Sequence, residues 1–174
     1  MYAIFNEKLG NLDQRRQHAC VFGVEANKKR CNRLEKLSAA HKSKGWRTEY
    51  LCPYAVWSEK TVLKFKDQDG IGDGTASRLV KGGKNTVGVQ TISAVENLKK
   101  IINKHKPETL VLKMDIEGAE YTVLPQLERE GFLCSNKVSD ITLEYHYRFT
   151  GHPKDWKIPK TFNCLKKSKI HLID

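Results

Sequence analysis

The segment LVLKMDIEGAEYTVLPQL, from Leu110 to Leu127, ends an apolar run in two carboxylates one residue apart, Asp115 and Glu117, with Gly118 directly after them. Two other acids occupy similar places: Glu25 closes HACVFGVE, and Glu144 closes KVSDITLE with His146 two residues on. Side chains alternate along an extended strand, so Lys113, Asp115 and Glu117 fall on one face, as do Glu144 and His146. Carboxylates in such places can accept hydrogen bonds from ligand hydroxyls, and His146 or Glu144 can take a proton from an oxygen. Gly118 lets the backbone turn and approach a ligand closely. Each has a plainer alternative: Glu25 or Asp115 capping the helix that follows, and His146 as a structural histidine. A divalent cation on the Asp-x-Glu pair would need a third ligand, which the local sequence does not supply, so no metal is expected there.

The elements that must position these residues read clearly. His18–Asn27 is short and apolar, a buried strand ending at Glu25. Lys28–Gly45 has Cys31, Leu34, Leu37 and His41 at helical spacing and stops at glycine. Arg47–Ser58 reads as a strand interrupted at Pro53, and Lys60–Asp67 as an exposed antiparallel strand. A glycine-rich loop, Gln68–Asn85, precedes the strand Thr86–Ile92. Its DGIGDG and KGGKN stretches lack the strand, helix and Lys-Ser/Thr ending of a phosphate loop. Ser93 with Glu96 forms a capping box for a helix that Pro107 stops, and its apolar face is Val95, Leu98, Ile101 and Ile102. Thr109–Ile116 is a strand, Gly118–Glu130 a helix kinked at Pro125, and Lys137–Tyr147 a strand. The rest is basic and irregular, with a weak last helix or strand.

Alternating strands and helices predict an α/β fold with an open, mostly parallel sheet and helices on both faces. Ligands bind such sheets at the carboxyl ends of the strands, which is where Glu25, Asp115 and Glu117 stand. Charges costly inside a sheet are tolerated at a rim facing a polar cleft, and these acids are expected to share one crevice.

The 174 residues suit one domain with its own core. No apolar run is long enough to span a bilayer, and MYAIFNEKLG is not a signal pattern. The five cysteines, Cys20, Cys31, Cys52, Cys134 and Cys164, are scattered without a C-x-x-C pair. That argues against zinc and against a disulfide framework, and makes a reduced, cytoplasmic-type compartment the default. Cys20, Cys52 and Cys134 read as small core residues. A net charge of +11 concentrates at Lys28–Arg33, Lys99–Lys106 and Lys154–Lys169. Such segments are solvated helix faces or surfaces for anionic partners such as RNA or acidic lipid.

LVLKMDIEGAEYTVLPQL resembles the signature of the FkbM family of S-adenosylmethionine-dependent methyltransferases. VFGVEANKKRCNRL is similar to that family's second strand and following helix, YAVWSEKTVLKF to its third strand and hairpin, and VQTISAVENL to the segment before its fourth strand. The matches are collinear from about Phe22 to Leu133. The resemblance implies a Rossmann-like sheet and S-adenosylmethionine as cofactor. It implies that Glu25, with Ala26 and Asn27, holds the ribose, that Ala55 and Val56 border the adenine, and that Asp115 and Gly118 lie beside the methionine part. Glu117 and Glu120 would shape the acceptor side, with His146, Glu144 and Glu117 as the catalytic set. The absence of an N-P-P-Y-like turn leans the reaction towards oxygen acceptors.

The family's first strand and its D-x-G-A-N-x-G loop have no counterpart here. MYAIFNEKLG resembles the helix after that loop, so the chain is expected to begin just past it, and to end before the last antiparallel strands. The 148–174 stretch is an irregular basic tail. The resemblance thus allows a partial domain of an active methyltransferase. It also allows an inactive module of the same fold that binds an anionic partner through its basic surface, or a methyltransferase acting on nucleic acid.

Overall fold

The computed structural model describes residues 2–66, 86–133, 138–144, 146 and 169–173. The loop expected at Gln68–Asn85, Cys134, Cys164 and the basic segment Lys154–Lys169 lie almost wholly outside them. The chain divides into two compact units, Met1–Ala55 and Val56–Asp174.

The first unit opens with helices α1 (Tyr2–Leu9) and α2 (Leu12–His18). Asn11 caps α2 by accepting from the Gln14 amide, and the Gln14 side chain returns the bond to the Asn11 amide, a reciprocal capping box. Strand β1 (Cys20–Val24), a 3₁₀ turn (Lys28–Arg30), helix α3 (Cys31–Ser43) and strand β2 (Arg47–Leu51) follow. β1 and β2 pair in parallel with Gly23 opposite Tyr50, and the helix supplies the crossover that parallel pairing requires. A Cβ at Gly23 would overlap the Tyr50 ring, so the strand needs glycine there. Gly45, at φ 83°, ends the helical segment as its sequence indicates.

Cys31 and Cys52 form a disulfide, with Cα atoms 5.5 Å apart. This corrects the expectation that no disulfide forms, and the reading of Cys52 as a small core residue. The β–α–β crossover brings the first turn of α3 beside the residue after β2, a proximity that the spacing of cysteines along the chain does not reveal.

A three-stranded sheet is ordered β3 (Ala55–Trp57, of which Val56 and Trp57 fall in the second unit), β5 (Thr86–Ser93), β4 (Val62–Lys66), with β4 and β5 antiparallel as expected of Lys60–Asp67. A second sheet is ordered β6 (Val111–Met114), β7 (Asp140–Glu144), β8 (Lys169–Ile173), all parallel. Helix α4 (Ala94–His105) precedes β6, and helix α5 (Glu120–Arg129) crosses from β6 to β7. Ser93 caps α4 by accepting from the Glu96 amide. The other half of the expected capping box is not formed, because Glu96 pairs with Lys60 at 3.0 Å instead. α5 continues through Pro125 to Arg129. Val95 and Leu98 of α4, Val123, Leu124 and Leu127 of α5, and Ile141 and Leu143 of β7 form one apolar cluster with Phe132, Leu133 and Val138.

A single open sheet was expected; the described strands instead form three separate sheets. β1 has β2 as its only described neighbour, and β6 has β7 as its own. Each therefore keeps one edge that no described strand pairs. The last described strand, β8, is parallel to β7. Among the described residues no helix is long and apolar enough to cross a membrane.

Candidate functional site

Glu25 follows β1 directly, and its backbone is fixed on both sides: its amide donates to Leu51 O and its carbonyl accepts from Tyr54 N, each at 3.0 Å. Its Oε1 accepts from the Asn27 amide at 2.7 Å, and Oε2 lies 3.5 Å from the Arg30 guanidinium. The Asn27 side chain accepts from the Lys29 amide and caps the 3₁₀ turn. The carboxylate thus does the helix-start work named as the plainer alternative. It keeps acceptor capacity all the same, since a carboxylate offers about four acceptor positions. Ala26 lies between these two residues and is half-buried. Ala55, where β3 begins, is buried, and the half-buried Val56 packs against the apolar cluster of the second unit.

The richer chemistry sits where β6 gives way to α5. After Met114 the chain makes a turn in which Glu117 has φ 54° and Gly118 φ 99°. Glycine accepts that conformation freely, whereas for Glu117 it costs about 1–2 kcal/mol, so surrounding contacts must hold it. Glu120 supplies them. Its side chain is fully buried, and it accepts from the Ile116 and Gly118 amides at 2.8 Å each. A buried carboxylate is tolerable only with such partners. The sequence placed Glu120 on the acceptor side of a cleft; in the structure it is the internal brace of the turn.

The third partner of Glu120 comes from beyond β7. His146 Nδ1 lies 2.9 Å from Glu120 Oε1, and with the carboxylate as acceptor Nδ1 carries the proton. The ring's other nitrogen, Nε2, faces three more carboxylates: Glu117 Oε2 at 3.5 Å, Asp115 Oδ1 at 3.7 Å and Glu144 Oε1 at 3.7 Å. Asp115 also accepts from Lys113 Nζ at 2.8 Å, as residues sharing a strand face should.

The electrostatics follow from that crowding. His146 is pushed above the ordinary histidine value, chiefly by its hydrogen bond to Glu120, with burial opposing and the neighbouring carboxylates assisting. Glu117 is raised above the usual carboxylate range, first by burial and partly by Asp115, Glu120 and Glu144, with His146 opposing. An imidazole made more basic, framed by carboxylates, is suited to take a proton from a hydroxyl.

The structure therefore brings Asp115, Glu117, Glu144 and His146 together around one point, with Gly118 in the same turn. Glu25, Ala26 and Asn27 belong to the other compact unit. What sequence reasoning missed is the role of Glu120; the signal available was an acid three residues after Glu117 in an otherwise apolar helix start.

A family model described as Methyltransferase FkbM domain matches residues 10–158. No curated protein and no solved structure matches the chain.

Proposed function

This chain belongs to the FkbM methyltransferase family, and we propose from that premise that it moves a methyl group from S-adenosylmethionine to an oxygen of its acceptor. The observation that carries the reading is the convergence of Asp115, Glu117, Glu144 and His146 where β6 and β7 end. In parallel α/β sheets that end of the strands is where ligands are bound. Each unit contains one β–α–β crossover, β1–α3–β2 in the first and β6–α5–β7 in the second, the unit from which Rossmann-like sheets are built.

When bound, the cofactor supplies a methyl group already activated by its sulfonium, so the protein's work is alignment and proton handling. Glu25 and Asn27, with Ala26 between them, would hold the ribose. The fit is chemical: Glu25 spends one oxygen on the Asn27 amide and retains acceptor positions for two neighbouring hydroxyls. Ala55 and Val56 would border the adenine, and Asp115 with Gly118 the methionine end. On the acceptor side, His146 and Glu144 receive the hydroxyl proton, and Glu117 orients the oxygen. Glu120 touches neither ligand; it positions the His146 ring.

Calorimetric titration of the full chain with S-adenosylmethionine and S-adenosylhomocysteine tests this, together with transfer of labelled methyl groups to a panel of hydroxyl compounds. Saturable binding that Glu25→Ala weakens at least tenfold is the expected result. Failure of the chain to bind either compound would sink the proposal.

A further inference from the structure

The cluster at the end of β6 and β7 has the composition of a cation site as well as of a proton relay. Asp115, Glu117 and His146 each present one ligand atom, and these atoms all lie within 4.8 Å of one another. A cation with bonds of about 2.1–2.2 Å separates neighbouring ligands by roughly 3.0–3.5 Å and opposite ones by about 4.3 Å. The Nε2 to Glu117 and Nε2 to Asp115 distances of 3.5 and 3.7 Å need only a few tenths of an ångström of contraction to meet that. They also exceed the usual hydrogen-bond length of about 2.7–3.2 Å. The ring thus faces these oxygens around a common centre.

A second, independent feature points the same way. The His146 side chain is nine-tenths buried, and Glu120, wholly buried, holds its Nδ1 at 2.9 Å. A carboxylate on one imidazole nitrogen, fixing the ring so that the other nitrogen points at a cation, is the usual support behind a metal-bound histidine. The charge balance agrees. Four carboxylates, Asp115, Glu117, Glu120 and Glu144, stand against Lys113 and, at most, one imidazolium.

We infer that Asp115 Oδ1, Glu117 and His146 Nε2 bind one divalent first-row cation, with Glu144 beside it. The third ligand that the Asp-x-Glu pair lacks in sequence arrives from the far end of β7. One imidazole among carboxylates suits manganese or zinc better than calcium, which takes oxygen ligands. Asp115 can serve without giving up Lys113, because Lys113 uses the other oxygen, Oδ2. The use of the ion rests on the methyl-transfer reading: it would hold an acceptor carrying two adjacent oxygens. A hydroxyl bound to the ion loses its proton more readily. With the ion bound, His146 Nε2 is a ligand and no longer takes the proton: the O–H bond breaks, its electron pair stays on the acceptor oxygen, and the proton passes to Glu144 alone.

Binding of the ion itself needs no cofactor, so its test is separate from that of methyl transfer. The chelator-treated full chain is titrated with manganous ion, the free ion being read by electron paramagnetic resonance, with zinc as competitor. One saturable site is expected, competed by zinc and weakened at least tenfold in Glu117→Gln and in His146→Gln. Glu96→Gln, which removes a remote surface carboxylate, leaves it unchanged. Glu117→Gln keeps the Glu120–His146 pair intact and carries the test if the histidine variant does not fold. Absence of a saturable site in the wild-type chain, or equal affinity in Glu117→Gln, overturns the inference. S-adenosylmethionine binding without manganese binding would refute the cation site and leave the methyltransferase reading standing.

Discussion

The two units handle an acid at the end of a parallel strand in different ways. In the first, Glu25 is part-exposed, bonded to the amide two residues on, and surrounded by little buried material; among the described residues of that unit, Thr48 and Ala55 are buried. Its apolar side chains Val21, Val24 and Leu37 are about two-fifths exposed. Local devices hold the geometry instead: the Cys31–Cys52 link, the Asn11 and Asn27 caps, and the seat that Gly23 gives the Tyr50 ring. In the second unit Asp115 and Glu117 stand over a core in which Val123, Leu124, Leu133, Ile141 and Leu143 are wholly buried. There a carboxylate, Glu120, can be buried as well, because two amides and an imidazole satisfy it. Thick packing makes the second site a fixed frame for chemistry; thin packing leaves the first as a clasp that local bonds keep shut.

The sharpest way to break the contrast is at Glu120. Glu120→Ala strands the buried Gly118 amide, the part-buried Ile116 amide and the His146 ring nitrogen, and is expected to cost about 3–5 kcal/mol. Leu124→Ala, a cavity in the same core, is expected to cost about 2–5 kcal/mol. Urea unfolding measures both. If Glu120→Ala costs less than about 1 kcal/mol, the buried brace is not what holds the turn. Glu120→Gln keeps an acceptor and should fall well short of alanine.

The first unit should respond to covalent change instead. Its disulfide spans a sequence separation of 21 residues, and opening such a loop costs about 3 kcal/mol in the chain-entropy account. Cys31→Ser with Cys52→Ser should therefore speed amide hydrogen exchange in β1, α3 and β2 while leaving α5 and β7 unchanged. Uniform acceleration along the chain would erase the distinction between the units. Gly23→Ala, which drives a methyl into the Tyr50 ring, should act on the same unit by about 1–3 kcal/mol.

This contrast also explains what could be read from the sequence. Strand and helix limits were legible because punctuation marks them: Gly45 after α3, Ser93 before α4, Pro107 after it. Glu25, Asp115 and Glu117 were legible because a charge ending an apolar run has few places to go. Glu120 was not, because an acid in the first turn of a helix suits the dipole equally well exposed or buried. The Cys31–Cys52 pair was not, because it is made by a crossover that joins distant segments; His146 and Glu117 were grouped only through the family resemblance. Nor did alternation reveal the division of the described strands into three sheets. It shows that a strand is half-buried or buried, not which edges are paired.

Smallest of the expected effects is that of the surface ion pairs, where neither unit's packing matters. Glu96 pairs with Lys60, and its carboxyl is held below the ordinary 4.5, first by the hydrogen bond from Lys60 and then by that amine's charge. A carboxylate lowered on folding adds stability above its unfolded value, and that contribution is lost as pH falls through the lower folded value. The difference in melting temperature between wild type and Glu96→Gln should therefore be present at neutral pH and vanish in acid. Both groups are exposed, so the difference should be small and should shrink further in molar salt, where screening acts within about 3 Å. Glu130, paired with Lys99 at 2.8 Å and lowered for the same reason, should behave alike. An effect at Glu96 that persists when Lys60 is changed would mean that the residue also acts through α4, whose first turn it occupies, by its charge on the helix dipole. Lys60→Gln separates the two, since it removes the pair and leaves the dipole contribution in place.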